Sequence, residues 1–254
     1  MKINNVTAKF DWYKDLYYII QMENKHICTD KHSGCHFNFI GNKMDADSFR
    51  NNGVEYYHII EWSKQYCDRN GIFVDIGAHI GNYSIICAPL CKQVIAFEPQ
   101  KDIFDCLVSN MKLNDRRNIT AYNCALGHKE HKNKLYKFSM DGKDSTIEKT
   151  LSRNRNVIDE YDVDVVPLDS LGLKDVCFVK IYADGYTHQI LVGAFETLKN
   201  SRFPPILLKI NDNMWSDYKD STLFGYLRYI GYNIFPIGGA PNLYLASDHP
   251  VRKQ

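Results

Sequence analysis

Residues 73–84 read FVDIGAHIGNYS. A short apolar run ends at the acid Asp75, Gly77 and Gly81 follow, and a helix-like segment begins beyond them. Glycines at a strand-to-helix turn let backbone N–H groups come close to a ligand, because no side chain stands in the way. The stretch therefore opens a strand-turn-helix unit, and its neighbours decide what the turn is for. VIAFE ends about twenty residues later in Glu98, the spacing a strand-helix-strand unit requires. An acid at the end of that second strand is placed to accept hydrogen bonds from both hydroxyls of a ribose.

The loop separates two cofactor classes. Dinucleotide binders use GxGxxG, so that a pyrophosphate lies on the helix N-terminus. Here the pattern is DxGxxxG, and His79 occupies the place of the second glycine. A histidine crowds a pyrophosphate but not a ligand without phosphates, which favours S-adenosylmethionine over NAD.

Outward from this unit, short β-rich runs alternate with helix-period runs, the signature of a mostly parallel sheet covered by helices on both faces. GIFVDIG, VIAFEP, NITAYNCALG, VCFVKIYADG and PPILLKIND read as five strands, with NIFPIG and PNLYLAS as closing strands of a seven-stranded, Rossmann-like α/β sheet. NYSIICAPLCKQ reads as a short helix stopped near Pro89. In KDIFDCLVSNMKLN, residues Ile103, Phe104, Leu107, Val108 and Met111 make one buried stripe. HQILVGAFETLKN and STLFGYLRYIGYN read as single helices, and EYYHIIEWSKQYC as a helix packed at the start of the sheet. KLYKF reads as an added strand. SMDGKDSTIEKTLSRNRNVIDEY reads as a polar connection with a turn at Asp141-Gly142.

The 254 residues, 44% of them hydrophobic, suffice for one well-buried domain and are short for two. A formal charge of +1 gives no global argument for a nucleic-acid partner or an anionic membrane. Lys9, Asp11, Lys14 and Asp15 interrupt residues 1–20, which read as neither signal peptide nor anchor, and no membrane insertion is expected. The expected location is cytoplasmic. Eight cysteines scattered beside apolar residues fit reduced core thiols. HICTDKHSGCH gathers His26, Cys28, His32, Cys35 and His36, all zinc-ligand types, but in none of the paired spacings of a zinc site, so a hairpin turning at Ser33-Gly34 is the expectation.

With these segments in place, the chain resembles the FkbM-type methyltransferases, a class I methyltransferase family that O-methylates sugars and related hydroxyl compounds. The resemblance runs from about residue 50 to the end, through FVDIGAHIGNYS, VIAFEPQ with NMKLN, NCALG, VVPLDSL leading into VKIYADGYTHQILVGAFETL, PPILLKI, RYIGYNIF and NLYLAS. It implies a methyltransferase domain over residues 51–254 and an extension or cap over residues 1–50, which is a candidate lid, homodimer arm or partner site. It also implies S-adenosylmethionine as cofactor, with Asp75, Gly77, Gly81, Asn82 and Ser84 around the methionine part, Glu98 on the ribose, and Asn123 to Ala125 flanking the adenine; His79 sits in the same cofactor-binding loop. The implied acceptor is a small molecule or glycan.

The departures from the family pattern fall at the acceptor end. Where the family reads Lys-Ile-Asp-x-Glu-Gly, this chain has Lys180, Ile181, Tyr182, Ala183, Asp184 and Gly185, and the acid that ends the fifth strand is replaced by Lys209. Methyl transfer to a hydroxyl needs close approach and loss of the hydroxyl proton. With Tyr182 and Lys209 in place of two acids, a carboxylate cage for a divalent ion is harder to build, so no catalytic metal is expected. Asp184 is the first candidate base, against an alternative reading as a helix N-cap. Asp212, His79 and His188 are the others. Tyr182 and Lys209 read alternatively as acceptor-binding groups, and Trp62, Tyr182, Tyr186 and Trp215 as rings for a sugar face. The competing functions are a non-catalytic relative that binds cofactor or sugar as a scaffold, and a nicotinamide-dependent oxidoreductase.

Overall fold

The computed structural model describes residues 26–39, 43–139, 145–147, 156–183, 185–210, 222–240 and 242–247. Its centre is a seven-stranded sheet formed by β3 (Ile72–Ile76), β4 (Gln93–Phe97), β5 (Ile119–Tyr122), β10 (Val176–Ile181), β11 (Ile206–Lys209), β12 (Asn233–Pro236) and β13 (Leu243–Ser247). The spatial order is β12-β13-β11-β10-β3-β4-β5. The five strands from β11 to β5 run parallel, whereas β13 lies antiparallel to both β11 and β12. The fold is the expected α/β architecture with its mostly parallel seven-stranded sheet.

Alternation along the strands explains why both faces need cover. Phe73, Val94 and Phe178 join one hydrophobic cluster, while their neighbours Val74, Ile95 and Val179 join the other. On the first face sit α1 (Lys43–Asn52), α2 (Tyr57–Ser63), α3 (Asn82–Cys87) and α4 (Lys101–Leu113), contributing Phe49, Ile60, Ile85 and Leu107. On the second sit α5 (Thr187–Val192), α6 (Phe195–Asn200) and α7 (Thr222–Tyr229), contributing Ile190, Leu198 and Leu227. The stripe read along α4 is inward, with Ile103, Phe104, Leu107 and Met111 buried and Val108 packed at its edge.

The hairpin expected at Ser33-Gly34 is present: β1 (His26–Thr29) pairs antiparallel with β2 (His36–Phe39). Its turn is held by a buried carboxylate. Asp30 accepts hydrogen bonds from Ser33 N at 2.7 Å, Ser33 Oγ at 2.6 Å and, from outside the turn, Val54 N at 2.8 Å. Burial pushes the Asp30 carboxyl up, but the Ser33 and Val54 donors outweigh it and hold the group below the usual carboxylate range. The hairpin is stitched to α4 by two asparagines one turn apart. Asn110 Oδ1 accepts from Asn38 N at 2.6 Å, and Asn114 Oδ1 accepts from His36 N at 2.8 Å. All eight cysteines are free thiols.

Three expectations are corrected. NITAYNCALG is not one strand: after β5 the chain leaves the large sheet, and β6 (Ala125–Leu126) joins a second sheet of order β6-β9-β7-β8. The stretch read as a polar connection carries two strands of that sheet, β8 (Ser145–Thr146) and the start of β9 (Asp159–Val166), which pairs with β7 (His131–Lys137). Asp159, Glu160, Asp162 and Asp164 face solvent on β9, while Val163 and Val165 face the core, so outward charge disguised a half-buried strand. HQILVGAFETLKN is two helices that break at Gly193. A Cβ there would lie 2.0 Å from the Gly127 carbonyl oxygen, an approach only glycine permits. The turn read at Asp141-Gly142 lies outside the described residues.

Candidate active site

The five parallel strands end on one side, and there a cavity of about 340 Å³ opens, within the roughly 300–1,000 Å³ typical of small-molecule sites. Ligands in open parallel sheets bind at this edge because the loops between strand and helix diverge there. Gly77, His79 and Asn82 line the cavity from the β3 end, Glu98 from β4, Tyr182 from β10 and Lys209 from β11. Cys124, Ala125, Leu126, Leu135 and Ile147 close the far end, so part of the wall comes from the small sheet.

Gly77 has φ +70°, and a Cβ on it would lie 2.0 Å from the Tyr182 carbonyl oxygen. The glycine is thus required first by the neighbouring strand: it lets the turn press against the end of β10 while Gly77 N and Ala78 N donate to Phe97 O at 3.0 and 2.9 Å. At Gly81, φ is +96° and a Cβ would lie 2.5 Å from Leu107 Cδ1 on α4. Neither constraint depends on a ligand, yet together they fix a tight loop facing the cavity.

Glu98 is 7% exposed. Its Oε2 accepts from His79 N at 2.8 Å and its Oε1 from Gln100 N at 3.0 Å. Burial pushes this carboxyl up to about 7, against the lowering effect of the two backbone donors. Asn123 does not line the cavity. Its Nδ2 donates to Glu98 O at 2.9 Å and Pro99 O at 3.0 Å, clamping the backbone beside the carboxylate. Asn82 presents an Oδ1 that is buried without a hydrogen-bond partner among the described residues. An unpaired buried acceptor is costly, and a bound donor would satisfy it.

Asp75 and Ser84 lie behind the loop, fully buried. Asp75 Oδ2 accepts from Ser84 Oγ at 2.6 Å and Ser84 N at 3.1 Å, which ties β3 to the first turn of α3. Its other oxygen faces Lys180, the register partner of Asp75 on β10. Lys180 Nζ stands 3.0 Å from Asp75 Oδ1, an ion pair rather than an aligned hydrogen bond, and donates to Gly77 O at 2.6 Å. The ammonium also lies 4.3 Å from the Tyr182 ring centroid and 5.5 Å from that of Tyr83. Desolvation lowers the Lys180 pKa from the usual lysine value, opposed by Asp75. This lysine was visible in the sequence only as part of a motif; that it pairs across strands follows from register, which the sequence does not state.

Tyr182 and Tyr83 share a hydrogen bond of 3.0 Å between their hydroxyls. Burial raises both phenols above their ordinary value, so they are neutral near pH 7 and act as hydrogen-bonding groups rather than proton acceptors. His188 does not line the cavity; its ring packs edge-on against Tyr226 at 5.5 Å, and burial lowers its pKa. Trp62 packs edge-on against Tyr66, and Tyr186 does line the cavity. Asp184, Asp212 and Trp215 lie outside the described residues. The cavity also takes in Glu55 and Tyr56, from the loop before α2, which were not among the candidate site residues.

A family model described as the methyltransferase FkbM domain matches residues 75–234, more than half of the 254 residues, including the glycine loop, Glu98, Lys180 and the ends of β10 and β11. The chain belongs to the FkbM methyltransferase family. Among solved structures, similarity extends to the methyltransferase FkbM of Methylobacillus flagellatus KT, at 17% identity and TM-score 0.48 over 78% of this chain. The chain spans 46% of that protein's length. An rRNA methylase of Streptococcus thermophilus aligns at 14% identity and TM-score 0.45, over 76% of this chain and 95% of its own. TYW2 of M. jannaschii, solved in complex with AdoMet, aligns at 16% identity and TM-score 0.46, over 88% of this chain and 84% of its own. No curated protein matches the chain significantly. Among the described residues of this FkbM-family chain, no helix is long and apolar enough to cross a membrane.

Proposed function

We propose that this protein is an S-adenosylmethionine-dependent O-methyltransferase acting on a hydroxyl of a sugar, glycan or related small molecule. The observation that carries the reading is the buried carboxylate of Glu98 on the wall of a cavity at the strand ends, beside a loop pressed close by Gly77. Two hydroxyls on adjacent carbons fit a carboxylate, and the orphaned Asn82 Oδ1 offers an acceptor to the amine or hydroxyl donors of the same ligand. Cys124, Ala125 and Ile147 supply an apolar slot for a flat base beyond the ribose.

When bound, the cofactor supplies an electrophilic methyl group on a sulfonium. The chain's residues would do the rest. Tyr182, neutral and tethered to Tyr83, would orient the acceptor hydroxyl at the end of β10. Lys209, on the neighbouring strand end, would hold a polyhydroxyl or anionic part of the acceptor. Asp184, next in sequence to Ala183 of the cavity wall, would take the hydroxyl proton.

The test is ligand-induced thermal stabilisation. S-adenosylmethionine and S-adenosylhomocysteine should raise the midpoint by about 5–10 °C at concentrations about 100 times Kd, and NAD should not. Glu98→Ala should abolish the shift while remaining folded. Stabilisation by NAD alone, or by none of the three, would sink the proposal.

The raised Glu98 pKa adds a pH signature. The ionised carboxylate is the better partner for ribose hydroxyls, so affinity for S-adenosylhomocysteine should climb as pH rises through about 7. About ten-fold is expected between pH ~6 and pH ~8. Stability of the free protein should move the other way: the group's contribution is fully present below the unfolded carboxyl value and is lost as pH rises through about 7. Glu98→Gln should flatten both profiles. An unchanged affinity profile in that variant would remove Glu98 from the site.

A further inference from the structure

We infer that Glu55 is a cofactor-binding residue, receiving the α-ammonium of the methionine moiety; this deepens the proposed function and rests on it. Glu55 and Glu98 are the anionic side chains that line the cavity among the described residues. Glu98 is engaged by two backbone N–H groups at the β4 end. Asp75 stands behind the loop and is matched by Lys180. That leaves Glu55 as the anionic wall group whose carboxylate makes no ion pair or hydrogen bond among the described residues. S-adenosylmethionine carries a primary ammonium at the end opposite its adenine, and an ammonium brought into a cavity needs an anionic partner.

Position agrees with charge. The adenine slot and Glu98 occupy the β4–β5 side of the cavity. Glu55 lies on the other side, close enough to the Tyr182 phenol to act on it electrostatically, and Tyr182 touches both Gly77 and Tyr83. A ligand that lays its ribose on Glu98 and passes over Gly77 therefore presents its amino-acid end to Glu55.

The loop that carries Glu55 is built to hold still. Gly53 has φ +76° and fits against Asp30 and His32, where a Cβ would lie 2.7 Å from each side chain. Val54 N donates to the buried Asp30 carboxylate, and Tyr57 N donates to Val54 O at 3.2 Å. Tyr56 takes φ 52°, a left-handed conformation that costs a non-glycine residue energy and persists when its surroundings fix it. The β1–β2 hairpin thus anchors, through Asp30, the two residues it delivers to the cavity.

The probe pair is S-adenosylhomocysteine and 5′-methylthioadenosine, which share the adenosyl thioether but differ in the amino-acid group. By titration calorimetry, Glu55→Gln should weaken S-adenosylhomocysteine about 10- to 100-fold and leave 5′-methylthioadenosine within about two-fold. Glu55→Asp should recover part of the loss. Glu55 is exposed, so the glutamine variant should unfold at the wild-type midpoint. Equal weakening of both ligands would assign Glu55 a merely structural role, and no weakening of either would move it to the acceptor side; each overturns the inference while leaving the proposed function standing. If the wild type binds neither ligand, the cofactor reading itself falls.

Discussion

Asp75→Asn is expected to lower the unfolding free energy by about 3–5 kcal/mol, because it leaves the nearly inaccessible Lys180 ammonium without its carboxylate partner. The side chains are 0% and 3% exposed, so screening gives no relief. Gly77 O and the Tyr182 and Tyr83 rings remain as partners but carry no full charge. The lowered pKa of Lys180 limits the damage, since a lysine already biased toward its neutral form can shed the proton. Replacing both partners should be gentler than replacing one. Asp75→Asn with Lys180→Met removes charge and countercharge together and should recover more than half of the loss. Equilibrium denaturation of the two single variants and the double variant measures the coupling. If the double variant loses the sum of the single losses, the pair does not interact and the strand-register account of it is wrong.

The second large effect is expected at Gly77. Alanine there meets two independent obstacles: a backbone with φ +70°, and a carbonyl oxygen 2.0 Å from the new Cβ. The first alone costs about 1–2 kcal/mol. The second cannot be relieved by a rotamer, since the Tyr182 carbonyl belongs to β10 and the chain around it is fixed by Tyr182 N donating to Ile76 O at 3.0 Å. Overlap of this kind adds about 1–3 kcal/mol or more. Gly172→Ala serves as the matched control, with φ +61° but no atom within 4 Å of its Cβ position. Its loss should stay near about 1–2 kcal/mol, while Gly77→Ala loses about twice that or fails to fold. Equal losses would mean that the contact with Tyr182 imposes nothing.

These two positions show what the sequence conveys and what it withholds. The apolar runs ending at Ile76, Phe97, Ile181 and Lys209 announced parallel strands, since a strand buried on both faces reads as continuous hydrophobicity. Strand ends carry ligands in such sheets, which named Gly77 and Glu98 in advance; the family resemblance added His79, Asn82, Ala125, Tyr182 and Lys209, and all seven line one cavity. What stayed hidden depends on residues far apart in the chain. Asp75 meets Lys180 through register, and Gly193 meets Gly127 through the packing of α5 and α6 against the small sheet. Glu55 carried no local signal, because its place is set by a carboxylate 25 residues earlier in the chain. The strand β9 was a different failure. Its alternation of Val163 and Val165 with charged neighbours was present in the sequence and was outweighed by overall polarity.

The position of β13 bears on how the sheet is assembled during synthesis. It separates β11 from β12, so β12 finds no place in the large sheet until the chain has been made as far as Ser247. The β12–β13 hairpin must therefore dock as one unit, with Leu243 to Ala246 zipping along β11. Until it does, the apolar β11 segment ILLK presents an open edge, the kind of surface that recruits other strands. Completion of the sheet therefore waits on that hairpin, and the tendency of the folding chain to aggregate should be greatest before it docks.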